Sequence, residues 1–309
     1  MNYNLRFSVL TFFFIVLFGV IFISSCNTKP TSKKEVISEW NSGTITIATD
    51  ENLKNIAEQL SQIYEHENPA AHIIFNYQPQ DKIIDDFVNG KTTSMLISRN
   101  LTKNEKEVST QNQKTKTLEN VFGFNAVAVI SNPNFNDSIL DINELSNFLQ
   151  PNSTVKLVFD NKQSGIARYI MKLANIEPGL FKNALVVNNS NEVIEYVQRN
   201  QTSIGFIPFN LISNHDEDET KNLLQSIKIL DVKQNDIIHE VSQENIYNFS
   251  YPLQQSINIV LGRNPELVGT GFTNFLTKER SAKILLRAGL VPAYMPKRNF
   301  EIRNEVEIK

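Results

Sequence analysis

From Thr44 onward the chain alternates strand-period and helix-period segments. That alternation restricts the fold more than any other feature of its 309 residues. Thr44-Ile45-Thr46-Ile47-Ala48 alternates as a strand does. After Thr49-Asp50-Glu51-Asn52, the residues Leu53, Ile56, Ala57, Leu60, Ile63 and Tyr64 fall at helical spacing, with acids at the positive end of the predicted helix. Pro69 closes the unit and Ile73-Ile74-Phe75 opens a second strand. A helix over Lys82 to Val88 ends at Asn89-Gly90, and Ser94 to Ile97 makes a third strand. This is βαβαβ, the pattern of a parallel sheet covered by helices.

The alternation continues. Phe122 to Ile130 is a long apolar strand followed by a turn at Asn132-Pro133, and Ile142 to Leu149 is a short helix. Val155 to Phe159 is a strand from which Asp160-Asn161-Lys162-Gln163-Ser164-Gly165 leads into a helix over Ile166 to Ala174. Leu185 to Val187, Glu192 to Gln198 and Ser203 to Ile207 read as strand, helix and strand. Asn210 to Asn222 is expected to be an exposed acidic loop. Ile257 to Leu261 is a further strand, with amphipathic helices over Pro265 to Leu276 and Glu279 to Ala288.

Ahead of this body, Arg6 precedes an almost wholly apolar run, Phe7 to Ile23. Ser24-Ser25 then stands directly before Cys26, the only cysteine. Basic start, apolar stretch and small residues read as a secretory leader. A cysteine at the new N-terminus resembles the lipobox of bacterial lipoproteins, which implies lipidation of Cys26. The other reading is an N-terminal membrane-spanning anchor with an incidental cysteine. Residues 26–43 are polar and read as a tether, with Trp40 the one apolar residue able to dock it. With Cys26 as anchor no thiol remains for a disulfide, a catalytic cysteine or a thiolate metal site, so stability rests on core packing. The formal charge of −3 carries no electrostatic footprint for nucleic acid. His66, His72, His215 and His239 lack ligand spacing, and the run His215 to Glu219 lacks the glycine of a calcium loop. Ser164-Gly165 has Lys162 where a nucleophile elbow needs glycine, so no enzyme, metal or cofactor is expected.

The order of segments from Thr44 to Pro296 resembles the phosphate-type periplasmic solute-binding proteins of ABC transporters. Several stretches carry the resemblance: Ile45 to Tyr64; Ser98-Arg99-Asn100-Leu101-Thr102-Lys103-Asn104-Glu105; Val127 to Asn132 with the helix after it; Ser164-Gly165 before a helix; Ser203-Ile204-Gly205-Phe206-Ile207; Tyr251-Pro252-Leu253; and Phe272 to Pro292. It implies an α/β, two-lobed periplasmic-binding-protein fold of type II-like kind. Each lobe would be a mixed, mostly parallel sheet flanked by helices, with two crossing strands as the hinge. The divisions expected are leader 1–25, tether 26–43, first lobe 44–124 plus 256–309, and second lobe 125–255. It further implies a monomer outside the cytoplasm that binds a small oxyanion, phosphate above all, and delivers it to an ABC permease or serves another envelope partner. Its membrane contact would be the lipid on Cys26.

Carried over by position, the ligand residues implied are Thr49, Asp50, Asn52, Ser98, Arg99, Ser164, Gly165 and Arg168. Hydroxyls and unpaired helix N–H groups suit an oxyanion, and an arginine adds a bidentate pair. The sequence departs from the family where charge matters. The acid expected before Ser98 falls near Thr93, the threonine expected after Gly165 is Ile166, and the arginine expected four residues before Ser164 is Asp160. Arg168 substitutes only if its helix turns it inward. A like-charge pair at about 4 Å costs roughly 4 kcal/mol at an effective dielectric of about 20, on the order of three decades in affinity. A fold that no longer binds phosphate and serves interaction or sensing in the envelope is therefore the alternative, and a different, less charged solute is a third.

Overall fold

The computed structural model describes residues 39–295 apart from 178, 264 and 265. Cys26, the leader and most of the tether lie outside the described residues. The first lobe begins with strand β1 (Ser42–Asp50), helix α1 (Lys54–Glu67), β2 (Ala70–Gln78), α2 (Gln80–Val88), β3 (Ser94–Ile97) and α3 (Lys103–Gln113). β1 pairs in parallel with β2 on one side and β3 on the other. Ile56, Ala57, Leu60 and Tyr64 of α1 are buried at three- and four-residue spacing against Ile45 and Ile47 of β1. The polar α3 has no such stripe. Its start is held by a capping box in which Thr102 and Glu105 bond each other's backbone N–H.

Strand β4 (Leu118–Ser131) leaves the first lobe and enters the second without a break. The second lobe adds β5 (Ile139–Asp141), α4 (Leu145–Phe148), β6 (Lys156–Phe159), α5 (Gly165–Leu173), β7 (Leu185–Val186), α6 (Ser190–Arg199), β8 (Ser203–Pro208), α7 (Asp218–Ser226), β9 (Lys228–Gln234), β10 (Ile237–His239) and α8 (Gln243–Tyr247). β11 (Gln254–Leu261) returns to the first lobe, followed by α9 (Leu267–Leu276), α10 (Glu279–Arg287) and β12 (Val291–Pro292). The strand path is β2-β1-β3-β11-β4-β8-β6-β7, so β4 belongs to both sheets. Its first half pairs antiparallel with β11, and its second half lies between β8 and β9.

The two chain crossings are therefore adjacent. Val127 N–H donates to Leu253 O at 2.8 Å, and Tyr251 Oη donates to Val127 O at 2.9 Å. Each lobe closes over its own core, around Ile47, Leu60, Phe122, Ile257 and Phe272 in the first and Val129, Phe159, Ile170, Phe206 and Ile207 in the second. Phe159 stacks on Phe206 with ring centroids 4.7 Å apart. The α/β, two-lobed expectation holds. The acidic loop expected over Asn210 to Asn222 does not hold throughout. α7 starts at Asp218 because Asp218 and Glu219 suit a helix N-terminus while Leu223 and Leu224 pack against the second core. The β9–β10 hairpin, which the apolar pattern did not reveal, turns through Asn235 and Asp236, both at positive φ. Among the described residues no helix is long and apolar enough to cross a membrane.

Gly205 lets α6 lie directly on β8: a Cβ there would meet Val193 at 2.6 Å and Val197 at 2.9 Å. Gly205→Ala is expected to destabilise the protein by about 1–3 kcal/mol through overpacking. The check is a lower denaturant midpoint with an unchanged slope.

Candidate functional site

Five loops converge where the lobes face each other, and each follows the C-terminal end of a parallel strand. They carry Asn52 just past Asp50, the last residue of β1, Gln80 after β2, Ser98 after β3, Asp160 and Ser164 after β6, and Ser190 after β7. Open α/β sheets place ligand crevices at such strand ends. Local chemistry sets each turn. Asp50 accepts the Asn52 N–H at 3.2 Å and caps the 3₁₀ turn Glu51–Leu53. Ser164 is the N-cap of α5 and accepts the Ala167 N–H at 3.1 Å, while Asn189 caps α6. Pro79 ends β2 and presets the turn that brings Gln80 to the first position of α2.

The lobes meet through direct bonds. Asn52 of the first lobe donates from Nδ2 to Asp160 Oδ2 at 2.9 Å, and its Oδ1 accepts from Ser190 Oγ at 3.1 Å. Ser164 Oγ donates to Asp160 Oδ1 at 2.7 Å. Asp81 N–H donates to Gln163 O at 3.3 Å, and the Arg168 guanidinium pairs with the Asp81 carboxylate. Gly165 makes the closest approach. A Cβ on it would stand 2.5 Å from Ser98 Oγ, 2.6 Å from Asp50 Oδ2 and 2.9 Å from Gln80 Nε2. Only a residue without a side chain fits there. Cavities flank this junction. One of about 940 Å³ is bounded by Gln80, Asp81, Arg99, Arg168 and Tyr169, and one of about 320 Å³ by Asn52, Asp160, Ser190 and Asn191.

The two acids at the centre are buried, Asp50 with 1 % and Asp160 with 4 % of its surface exposed. Burial pushes Asp50 up to about 7, the nearby Asp160 adds to the rise, and the Ser98 hydrogen bond opposes it. Burial also raises Asp160, against the lowering effect of its bonds from Ser164 and Asn52. Ser98 Oγ lies 2.8 Å from Asp50 Oδ2 and 2.9 Å from Gln80 Oε1, and the Ser98 N–H donates to that same Gln80 oxygen at 2.8 Å. A hydroxyl has one proton. Both Ser98 contacts are satisfied when the hydroxyl donates to Gln80 and a protonated Asp50 donates to the hydroxyl. Asp160 accepts from Ser164 and Asn52.

Of the residues implied by the sequence, Asp50, Asn52, Ser98, Ser164 and Gly165 come together. Thr49 is buried on β1, its hydroxyl donating to Ile47 O at 3.0 Å. Arg99 forks onto Glu105 at 2.7 and 2.9 Å, at the start of α3. Arg168 lies at the rim on Asp81. Sequence reasoning missed Gln80, Asp81 and Ser190. The strand–proline–helix order at Pro79 was the available signal for the first two, and the Asn189 cap for the third. Among the described residues no group of three or more His, Cys, Asp or Glu is arranged to hold a metal ion.

The chain matches the PBP superfamily domain over residues 36–280. It belongs to this superfamily. This membership agrees with the resemblance drawn from the sequence. Similar solved structures include a candidate phosphate ABC transporter substrate-binding protein with bound phosphate from Clostridium perfringens. That structure has a TM-score of 0.66 and 17 % identity, over 82 % of this chain and 100 % of the other. An ABC-type phosphate transport receptor from Vibrio cholerae gives 0.61 and 20 %, over 82 % and 100 %. PstS from Borrelia burgdorferi gives 0.53 and 20 %, over 81 % and 99 %. At these identities the likeness is one of fold. No curated protein matches the chain in sequence.

Two outcomes are expected. Below about pH 4 Asp50 is protonated both folded and unfolded. Between about 4 and 7 the unfolded chain ionises while the folded one keeps the proton, so stability falls with rising pH and levels off above 7. Asp50→Asn should flatten that fall and raise stability at pH 8 by up to a few kcal/mol, seen in thermal midpoints across pH. Gly165→Ala should separate the lobes, because the atoms it would meet belong to the opposite lobe. Small-angle scattering would register this as a larger radius of gyration while the far-ultraviolet dichroism stays unchanged.

Proposed function

We propose that this chain is a solute-binding lipoprotein held outside the cytoplasm by a lipid on Cys26. On this reading a small oxyanion, phosphate or a relative of it, is taken between the lobes for ABC-type uptake. The observation that supports it is the convergence of Asn52, Ser98, Ser164 and Gly165 at the N-terminus of α5, between two hinged lobes. A helix N-terminus and neutral hydroxyls make an anion seat. The phosphate held by the similar Clostridium perfringens protein adds weight. Because Asp50 and Asp160 face the seat, the solute would enter with no more than one negative charge, or with a proton that a carboxylate can accept.

A second reading rests on a separate observation. Asn52 and Ser164 already donate to Asp160, and Arg99 and Arg168 are already paired with acids. A binding-protein fold so arranged would serve interaction or sensing at the envelope without taking phosphate.

Calorimetry and thermal shift against phosphate, sulfate, molybdate and neutral polar solutes separate the two. A true ligand at about a hundredfold excess over Kd stabilises by about 2.7 kcal/mol. A phosphate response abolished by Ser164→Ala is the result expected for the uptake reading. Silence towards every oxyanion up to millimolar concentration sinks it in favour of the second. Cys26→Ser should move the protein from the membrane to the soluble fraction, and unchanged membrane retention would refute lipidation as the anchor.

A further inference from the structure

We propose that Asp160 is an internal ligand: its carboxylate occupies the anion seat and holds the lobes closed without any solute. The inference rests on the reading of this cleft as the ligand seat, and it goes further by assigning the seat's resting occupant. Asp160 accepts from Ser164 Oγ at 2.7 Å within its own lobe and from Asn52 Nδ2 at 2.9 Å across the cleft. One donor from each lobe onto one anion is the bridging pattern a bound oxyanion would make between two hinged lobes. Asp160 sits at the strand end that feeds α5, four residues ahead of the Ser164 cap. It is 96 % removed from solvent, so the bridge is built into the interior and is not a surface contact.

The surrounding residues fit a seat already occupied. Ser98 is turned towards Asp50 and Gln80, and Gly165 is pressed against all three, so the polar groups of the seat are already engaged with one another. Asn52 is held on both sides, donating to Asp160 and accepting from Ser190. A solute that takes up the donors of Asn52 and Ser164 must therefore displace Asp160 from them. Solutes of the displacing class are small monoanions with carboxylate-like geometry, able to accept from Asn52 and Ser164 at once.

The test uses formate as a detached copy of the deleted group. In scattering on the intact protein at neutral pH without solute, the wild type should give a closed radius of gyration that formate and phosphate leave unchanged. Asp160→Gly should give a larger radius that returns to the wild-type value with millimolar formate, and formate affinity should rise at least about tenfold over the wild type. Asn52→Asp sets a second carboxylate against Asp160 without vacating the seat, and should open the lobes with no formate response. The proposal is overturned by a wild type that is open without solute, or by an Asp160→Gly protein that stays closed and ignores formate. If Asp160→Gly does not fold, an open wild type still overturns the proposal, as does an Asn52→Asp protein that stays closed. A wild type that is open when empty and closes on phosphate would overturn the internal ligand while upholding solute uptake. A wild type that is closed and silent, with a formate-responsive Asp160→Gly, would support the internal ligand and count against uptake.

Discussion

The hydrogen bond from Asn52 to Asp160 is the buried side-chain bond at the centre of the contacts that join the two lobes. The lobes share one continuous strand and one returning strand, and each has its own core. Two linked strands permit hinge motion, so what holds such lobes together is the chemistry of the cleft. Here that chemistry is internal. An amide on one lobe meets a carboxylate on the other at 2.9 Å, supported by Ser190 on the same amide and Ser164 on the same carboxylate.

Burying a second acid beside the first is tolerated because only one of the pair needs to be charged. A lone carboxylate away from water would cost several kcal/mol, and two facing each other would add their repulsion. The structure meets both demands by protonation and by donors. Burial pushes Asp50 up to about 7, so it can hold a proton hydrogen-bonded to Ser98 while the Ser98 hydroxyl donates to Gln80, and Asp160 accepts from Ser164 and Asn52. Gln80 has a clear physical role in this chain. Its oxygen fixes the Ser98 backbone and receives the hydroxyl, so Asp50 can be neutral without leaving a polar atom unsatisfied.

The arginines show how charge can be present in a sequence and absent from a site. Arg99 is drawn to Glu105, which the capping box has already positioned at the start of α3. Arg168 is drawn to Asp81 at the first turn of α2, and so fastens the rim of the cleft instead of entering it. Both are partly exposed pairs, worth little to stability by themselves. Their effect is to leave the interior with carboxylates and neutral donors only.

Much of the fold was legible in the residues alone. Strand alternation from Thr44, the helical stripe from Leu53 to Tyr64, the long apolar run at Phe122 to Ile130 and the Ser164 cap depend on local periodicity and capping, which a linear sequence records directly. Elements without an apolar period escaped notice: the polar α3, held by its capping box, and the hairpin turning at Asn235-Asp236. The sequence by itself also determined which residue types stand at the strand ends, including an aspartate at position 160 where the family resemblance led one to expect arginine. Only the tertiary structure decided what those residues do, because partners 48 to 138 positions apart have no local signature. Asn52 meeting Asp160 and Ser190, Gly165 lying against Ser98, and the raised proton affinity of Asp50 all arise from two lobes closing on each other, a property of three-dimensional packing that no window of sequence contains.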